Sequence, residues 1–332
     1  FYDDLSGINP NGLNVEVIPA EPKGLLEGVH FYKYGKQYYM TFIWWPEGGI
    51  RTQICFRSDK VAGPYEMKVI LSDDMGYANH GVAQGCFIDT EEGDWYAMLF
   101  QDHEAVGRVP VLMPCRWVDG WPMLGDENGK VPPVMEKPIK GYEGKTELVV
   151  SDDFEDTKLD LTWQWNHNPD NTLWSLTERP GFLRLKTGKV VNGIFEARNT
   201  LTQRTEGPKC SGIISLKDGD CTGLAAFCSE PGTLTVTQEG GKKYLLMTDR
   251  SVEKARVEIN QNQLYLKMDC DFTTDDALFS YSLDDREWMQ LGDKFHMIFS
   301  MAHFTGNKFA IFNYATRETG GYVDVDFFRY NK

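Results

Sequence analysis

The stretch Leu25-Leu26-Glu27-Gly28-Val29-His30-Phe31-Tyr32 sets a carboxylate and an imidazole three residues apart, with a glycine between them. A carboxyl group can give up or take a proton and an imidazole can hold one, so the pair carries the elements of general acid–base chemistry. The pair opens a hairpin: a strand through Phe31-Tyr32-Lys33-Tyr34, a Gly35-Lys36-Gln37 turn, and a return strand Tyr38-Tyr39-Met40-Thr41-Phe42. A carboxylate at the mouth of a hairpin can face a cleft where one in mid-strand would face a core. Taken alone, a glutamate at a strand start is ordinarily solvated surface, because Glu is rarely buried.

A second stretch with chemical content is Gln101-Asp102-His103-Glu104-Ala105-Val106-Gly107-Arg108. The Arg108 guanidinium offers a rigid fork of donors to vicinal hydroxyls or a carboxylate, or it forms a structural ion pair with a neighbouring acid. His103 reads either as a member of a proton network or as a structural histidine. Between the two stretches, Trp44-Trp45-Pro46-Glu47-Gly48-Gly49 joins an aromatic pair to a loop. Such rings either fill a core or stack on the C–H faces of a sugar.

The elements that would position these groups repeat. Gly28-Val29-His30-Phe31, a glycine turn and Tyr38-Tyr39-Met40 recur as Gly85-Cys86-Phe87-Ile88, Glu92-Gly93-Asp94 and Trp95-Tyr96-Ala97-Met98. Each unit continues through a cleft loop to an apolar strand, Thr52–Asp59 in the first and Val109–Trp117 in the second. Inner strand, glycine turn, middle strand, cleft loop and outer strand are the grammar of a propeller blade, and two blades cannot close a ring.

The segment Glu27-Gly28-Val29-His30-Phe31-Tyr32-Lys33, with its glycine turn and Tyr38-Tyr39, resembles the general-acid blade of glycoside hydrolase family 43, a family of five-bladed β-propeller glycosidases. The resemblance extends to Gly63-Pro64-Tyr65-Glu66, to the run at 101–108, and to Asp119-Gly120-Trp121-Pro122, which matches the close of the family's last blade. It implies that Glu27 is the catalytic acid and that Arg108 sets its guanidinium against the bound sugar. His103, Gln84, Trp44 and His30 are the further substrate-binding candidates. Gln84 stands where relatives carry a histidine near the propeller axis, which sets an axial metal ion in question. Phe1-Tyr2-Asp3-Asp4, read as a strand end entering a turn, matches the tail of a blade signature whose first Asp tunes the acid. That Asp and the general base are therefore expected upstream of Phe1.

After Pro122 the pattern changes. Residues 126–147 are rich in Pro, Gly and Lys, lack apolar alternation, and read as a linker between a propeller portion at 1–125 and a second domain at 148–332. In the second domain short strands are expected at Phe182–Leu185, Gly212–Leu216, Leu224–Phe227, Leu234–Thr237, Val257–Ile259, Leu264–Met268, Met297–Ser300 and Phe309–Phe312. Short strands at this spacing with polar turns indicate a sandwich. Trp163-Gln164-Trp165-Asn166-His167-Asn168-Pro169, Arg179–Leu185 and Gly320–Phe328 resemble the concanavalin-A-like β-sandwich (jelly roll) that follows the propeller in family 43 xylosidases. The expected class is thus all-β. Asp153, Asp324 and Asp326 are hard oxygen donors that would suit a structural calcium ion if they meet, or else solvated edge charges; no other cofactor is expected.

Bulk composition bounds the partners. The chain has 332 residues, 32 glycines, 13% aromatic residues and a net charge of −15. That charge argues against nucleic acid and against an anionic membrane surface, while a neutral polysaccharide remains compatible. No apolar run approaches the roughly 18 residues of a membrane span. Seven cysteines without a C-x-x-C pair fit neither a zinc site nor a small disulfide scaffold and read mostly as buried thiols. Phe1 is not a natural start, so an export signal is not visible here, and an extracytoplasmic (periplasmic or secreted) setting is favoured.

These expectations combine into an inverting, exo-acting glycosidase that removes xylosyl or arabinofuranosyl units from xylan-type chains. Its acid must hold a proton near neutral pH, which burial against Trp or Tyr and a neighbouring carboxylate would provide. The rival readings are a non-catalytic carbohydrate-binding protein and an inactive fragment of the enzyme.

Overall fold

Short β-branched and aromatic runs punctuated by glycine turns fold as strands in both halves of the chain. The computed structural model describes residues 2–12, 15–18, 23–139, 141, 143–144, 147–217 and 221–332. The chain divides into two compact units, one of residues 1–103 and 108–142, the other of residues 104–107 and 143–332.

The first unit holds two four-stranded antiparallel sheets, each a simple meander. One comprises β1 (Leu25–Tyr34), β2 (Gln37–Trp45), β3 (Thr52–Ser58) and β4 (Glu66–Leu71). The other comprises β5 (Ala83–Asp89), β6 (Trp95–His103), β7 (Gly107–Val118) and β8 (Trp121–Leu124). Each blade therefore has four strands where the sequence pattern showed three. The fourth strands were hard to see because β4 is short and half exposed, and β8 carries Pro122, which only an edge strand tolerates. One core joins the two blades through Tyr39, Cys55, Ile70, Leu71, Phe87, Leu99, Met113 and Trp121. Tyr34, Trp95 and Trp117 lock the turn ends of the hairpins, with Tyr34 stacked on Trp117 at 4.5 Å between centroids.

Two stretches differ from expectation here. Val15-Glu16-Val17-Ile18, a short strand candidate by sequence, is not a strand; Val17 and Ile18 instead pack against the buried Met40, Ile54 and Phe56. The first residues of the expected linker belong to the blades. Asp126 caps its own turn through the amides of Asn128 and Lys130, Lys130 pairs with Asp73 at 2.8 Å, and Val131 is buried in the blade core.

The second unit is a sandwich of an eight-stranded and a seven-stranded antiparallel sheet. The first has Lys209–Lys217 at its middle, between Tyr322–Asn331 and Gln263–Asp271. The second runs from Val252–Ile259 to Gln164–Trp165, with Thr222–Phe227 and Lys308–Asn313 at its centre. Alternation does the sorting: along Gln263–Asp271, Leu264, Leu266, Met268 and Cys270 turn inward and their neighbours outward. Phe279, Phe295, Phe309 and Phe328 fill the space between the sheets. Met297–Ser300, expected as a strand, is irregular, and Met297 is held by its amide on the Asp275 carbonyl. The turn Glu104–Val106 packs in this unit, where the Ala105 carbonyl accepts bonds from the Asn307 amide and side chain. Among the described residues no helix is long and apolar enough to cross a membrane.

Candidate active site

Glu27 owes its place to a bulge. It pairs with Ile43, yet His30 pairs with Thr41, so β1 carries one residue more than β2 across this step. Gly28 absorbs the extra residue at φ +66°, a conformation glycine adopts without cost. The second blade repeats the device: Ala83 pairs with Phe100 and Cys86 with Met98, and Gln84 takes φ +65°. The structural equivalent of Gly28 is therefore Gln84, not Gly85 as the sequence repeat suggested, and the inner strands align one residue earlier.

The two bulges face one another. A Cβ on Gly28 would stand 2.3 Å from the Gln84 amide nitrogen, so the Gln84 side chain lies directly over the glycine. Gln84 is anchored in its strained backbone by a 2.7 Å bond from its N–H to Gln53 Oε1. Nearby polar atoms Gln84 Oε1, Gln53 Nε2 and Thr41 Oγ1 are buried without a hydrogen-bond partner, the state that a water or a ligand group relieves. The Glu27 side chain is exposed, so the expected burial against Trp or Tyr is not found. His30 is exposed as well, with its ring 6.4 Å from that of Tyr32.

A second cluster is built on the end of β6. Asp102 sits between two arginines: Arg51 Nη1 at 2.6 Å from Oδ2 and Arg108 Nε at 3.3 Å from Oδ1. Both guanidiniums lie over the ring of Phe100, at 4.9 and 4.1 Å from its centroid. Arg108 thus makes the ion pair that was its structural alternative. Arg51, 6% exposed, also donates from Nε to the Gly81 carbonyl. Burial lowers the Arg51 pKa, and Asp102 opposes that shift.

Hydrogen bonds order the histidines behind this cluster. Gln101 donates both amide protons, to the carbonyls of Asp74 and His80, so its Oε1 must accept from His103 Nε2 at 2.9 Å. His103 stacks on Tyr77 at 4.3 Å, and burial, with His80 beside it, lowers its pKa. His80 donates from Nδ1 to the Asp102 carbonyl at 2.9 Å, which makes its Nε2 the acceptor when neutral.

A hollow of about 630 Å³ opens beside the cluster, lined among others by Leu25, Trp45, Glu47, Arg51, His80 and Asp102. Glu27 and Arg108 are not among its lining residues; Leu25, two positions before Glu27, and Asp102, the partner of Arg108, are. Of the tryptophan pair, Trp45 faces the hollow and is 42% exposed. Trp44, the candidate from sequence, turns the other way: its Nε1 bonds to the Lys23 carbonyl and its ring joins the Met40–Phe56 cluster. Strand alternation requires this split. Sequence reasoning missed Arg51 and Glu47. The available signal was a charged residue at Arg51, opening an apolar strand directly after the Pro46–Gly49 loop.

The calcium expectation fails on geometry. Asp324 is 1% exposed, and its oxygens are taken by Arg184 (2.7 and 2.8 Å) and Arg179 (2.8 Å). Asp153 adjoins the bridge between Asp152 and Phe328, four residues along the strand from Asp324, a separation of about 13 Å at strand rise. Asp326 Oδ2 accepts from Ser215 at 3.4 Å. Among the described residues no group of three or more His, Cys, Asp or Glu is arranged to hold a metal ion.

Blades of four strands followed by a two-sheet sandwich define an all-β protein of the propeller-plus-sandwich class. Residues 151–331 match the family described as the beta xylosidase C-terminal concanavalin A-like domain of glycoside hydrolase family 43. The chain belongs to family 43. It is 32% identical to a beta-xylosidase of Formosa agariphila, over 92% of this chain and 59% of that protein. Among solved structures it resembles a bifunctional GH43-CE protein of Bacteroides eggerthii, with a TM-score of 0.86 and 42% identity over 99% of this chain and 44% of that one. It also resembles a family 43 glycoside hydrolase engineered to show both endo-xylanase and exo-arabinofuranosidase activity, at TM-score 0.81 and 32% identity over 92% of this chain and 65% of that one. The chain thus spans about half the length of its relatives.

Proposed function

We propose that the protein acts as an inverting glycosidase that releases xylosyl or arabinofuranosyl units from xylan-type polysaccharides or oligosaccharides, with Glu27 as the general acid. The observation that supports this reading is the bulge at Gly28, under the Gln84 amide, which leaves the adjoining Glu27 exposed at a hairpin mouth in a chain of family 43. Glu27 gives its proton to the departing glycosidic oxygen while a separate carboxylate draws a proton from water on the opposite face of the sugar. Asp102 is an unsuitable second carboxylate, since both its oxygens are engaged by arginines. Its part is to hold the Arg108 fork in one orientation for sugar hydroxyls. The exposed ring of Trp45 offers a stacking face for a pentose at the hollow. The reaction needs no cofactor.

The test is Glu27→Gln in the full-length protein, assayed on aryl xylosides and arabinofuranosides with good and poor leaving groups. Hydrolysis of poor leaving groups should fall by at least about 100-fold, the usual worth of a general acid, with good leaving groups spared more. Near-normal turnover of both substrates would remove Glu27 from the mechanism.

A further inference from the structure

Of the seven cysteines, two stand directly opposite one another. Cys210, second residue of Lys209–Lys217, pairs in register with Cys270, the penultimate residue of Gln263–Asp271. Opposed residues of an antiparallel ladder have Cα atoms about 4.5 or 5.5 Å apart, according to the type of pair. A disulfide spans about 4.4–6.8 Å between Cα atoms, so the Cα spacing of either pair type falls within its reach. Both side chains turn to the same core face, at 5% and 3% exposure. Their thiols are free in this structure.

The geometry points to Cys210 and Cys270 as a dithiol site that closes a disulfide across the centre of the eight-stranded sheet when it meets a small disulfide oxidant. A hollow of about 390 Å³ gives that oxidant its approach, because Cys210 and Cys270 both line it, together with Lys209, Lys294, Asp271 and Asp276. Cys210 is the attacking group: a hydrogen bond from the Cys270 thiol outweighs burial and lowers its pKa, whereas the same bond and burial raise that of Cys270. The Cys210 thiolate attacks one sulfur of the oxidant RSSR, forming a mixed disulfide and releasing RS⁻. The Cys270 thiol then passes its proton to that thiolate and attacks Cys210 Sγ, expelling the second RS⁻, which takes a proton from solvent. Two protein thiols are oxidised, one RSSR is reduced to two RSH, and the electrons balance. No other two cysteines oppose one another among the described strand pairings. Cys55 and Cys115 are buried in the blade core, and burial pushes both thiols up, Cys115 to about 12.

The experiment treats the folded, reduced 332-residue chain with hydroxyethyl disulfide at mild alkaline pH, blocks the remaining thiols with iodoacetamide, and maps peptides by mass without reduction. The expected product is a Cys210–Cys270 cross-linked peptide lighter by two hydrogens. The exposed Cys86 serves as internal control and should carry only a mixed disulfide. The oxidised protein should melt several degrees higher, and dithiothreitol should reverse the shift, because the bond closes a loop of about 60 residues. In Cys270→Ser, Cys210 should stop at the mixed disulfide. The proposal is overturned if Cys86 reacts while Cys210 and Cys270 are recovered alkylated or as separate mixed disulfides, or if the cross-link forms only after denaturation.

Discussion

The Asp102 carboxylate lies 2.6 Å from the Arg51 guanidinium, and its other oxygen faces Arg108 at 3.3 Å, so one carboxylate holds two cations that share the ring of Phe100. The three charges depend on each other unequally. If Asp102 is lost, the buried Arg51 is left beside a like charge. If Arg51 is lost, Asp102 keeps Arg108. Asp102→Ala should therefore cost about 3–5 kcal/mol, the usual penalty for stranding a buried charge, and Arg51→Gln clearly less. Urea unfolding followed by tryptophan fluorescence gives the order; equal costs would mean that Asp102 does not bridge the two.

The opposed bulges make a second, local prediction. Gly28→Ala places a methyl group 2.3 Å from the Gln84 amide and an L-residue at φ +66°. The expected loss is about 1–3 kcal/mol, along with a fall in kcat for the full-length protein as Glu27 is displaced. Gln84→Ala removes the obstructing amide, so the double variant should recover the steric share and keep the backbone share. A double-mutant cycle with no coupling would show that Gln84 does not lie over Gly28.

How much of this could be read from the sequence differs by feature. The hairpins, the repeat and the strands of the sandwich follow from alternation and glycine turns, which are local. The position of the acid-bearing bulge was also legible, but its register was not. A bulge shifts pairing by one residue without altering composition, so Gly85 matched Gly28 in sequence where Gln84 matches it in space. Arg51 and Asp102 meet across 51 residues of chain, and no local pattern announces that pairing. The acids of the sandwich failed for the opposite reason. Asp324 and Asp326 looked like exposed edge charges, yet the strand holding them is second from the middle of its sheet, and Arg184 on the adjoining strand claims Asp324.

His103 should give the first unit a pH-dependent stability. Burial, reinforced by His80 and opposed by Asp102, holds its folded pKa below the ordinary value near 6.5. The unfolded chain therefore binds a proton there at a pH where the folded chain does not. Stability should fall as pH drops through about 6.5 and level off once the folded-state value is passed. His103→Gln can still donate to Gln101 but carries no titrating group. Its unfolding midpoint should lose this part of the dependence between about pH 7.5 and 5, and a variant with the wild-type slope would assign the dependence to another group.

The Asp324 cluster decides between a metal and an arginine pair in the sandwich. Burial pushes the Asp324 pKa up, but the bonds from Arg184 and Arg179 outweigh it and hold the carboxylate below its usual range. Its contribution is therefore complete above the unfolded value near 3.9 and is lost as pH falls through the folded one. Asp324→Ala removes the buried carboxylate shared by two guanidiniums that are 29% and 20% exposed, and should cost about 2 kcal/mol. The informative comparison is the same loss measured in excess calcium and in excess EDTA. An arginine pair predicts equal losses, since neither reagent touches it. A calcium ligand predicts that EDTA destabilises the parent chain down to the level of the variant and abolishes the difference between them.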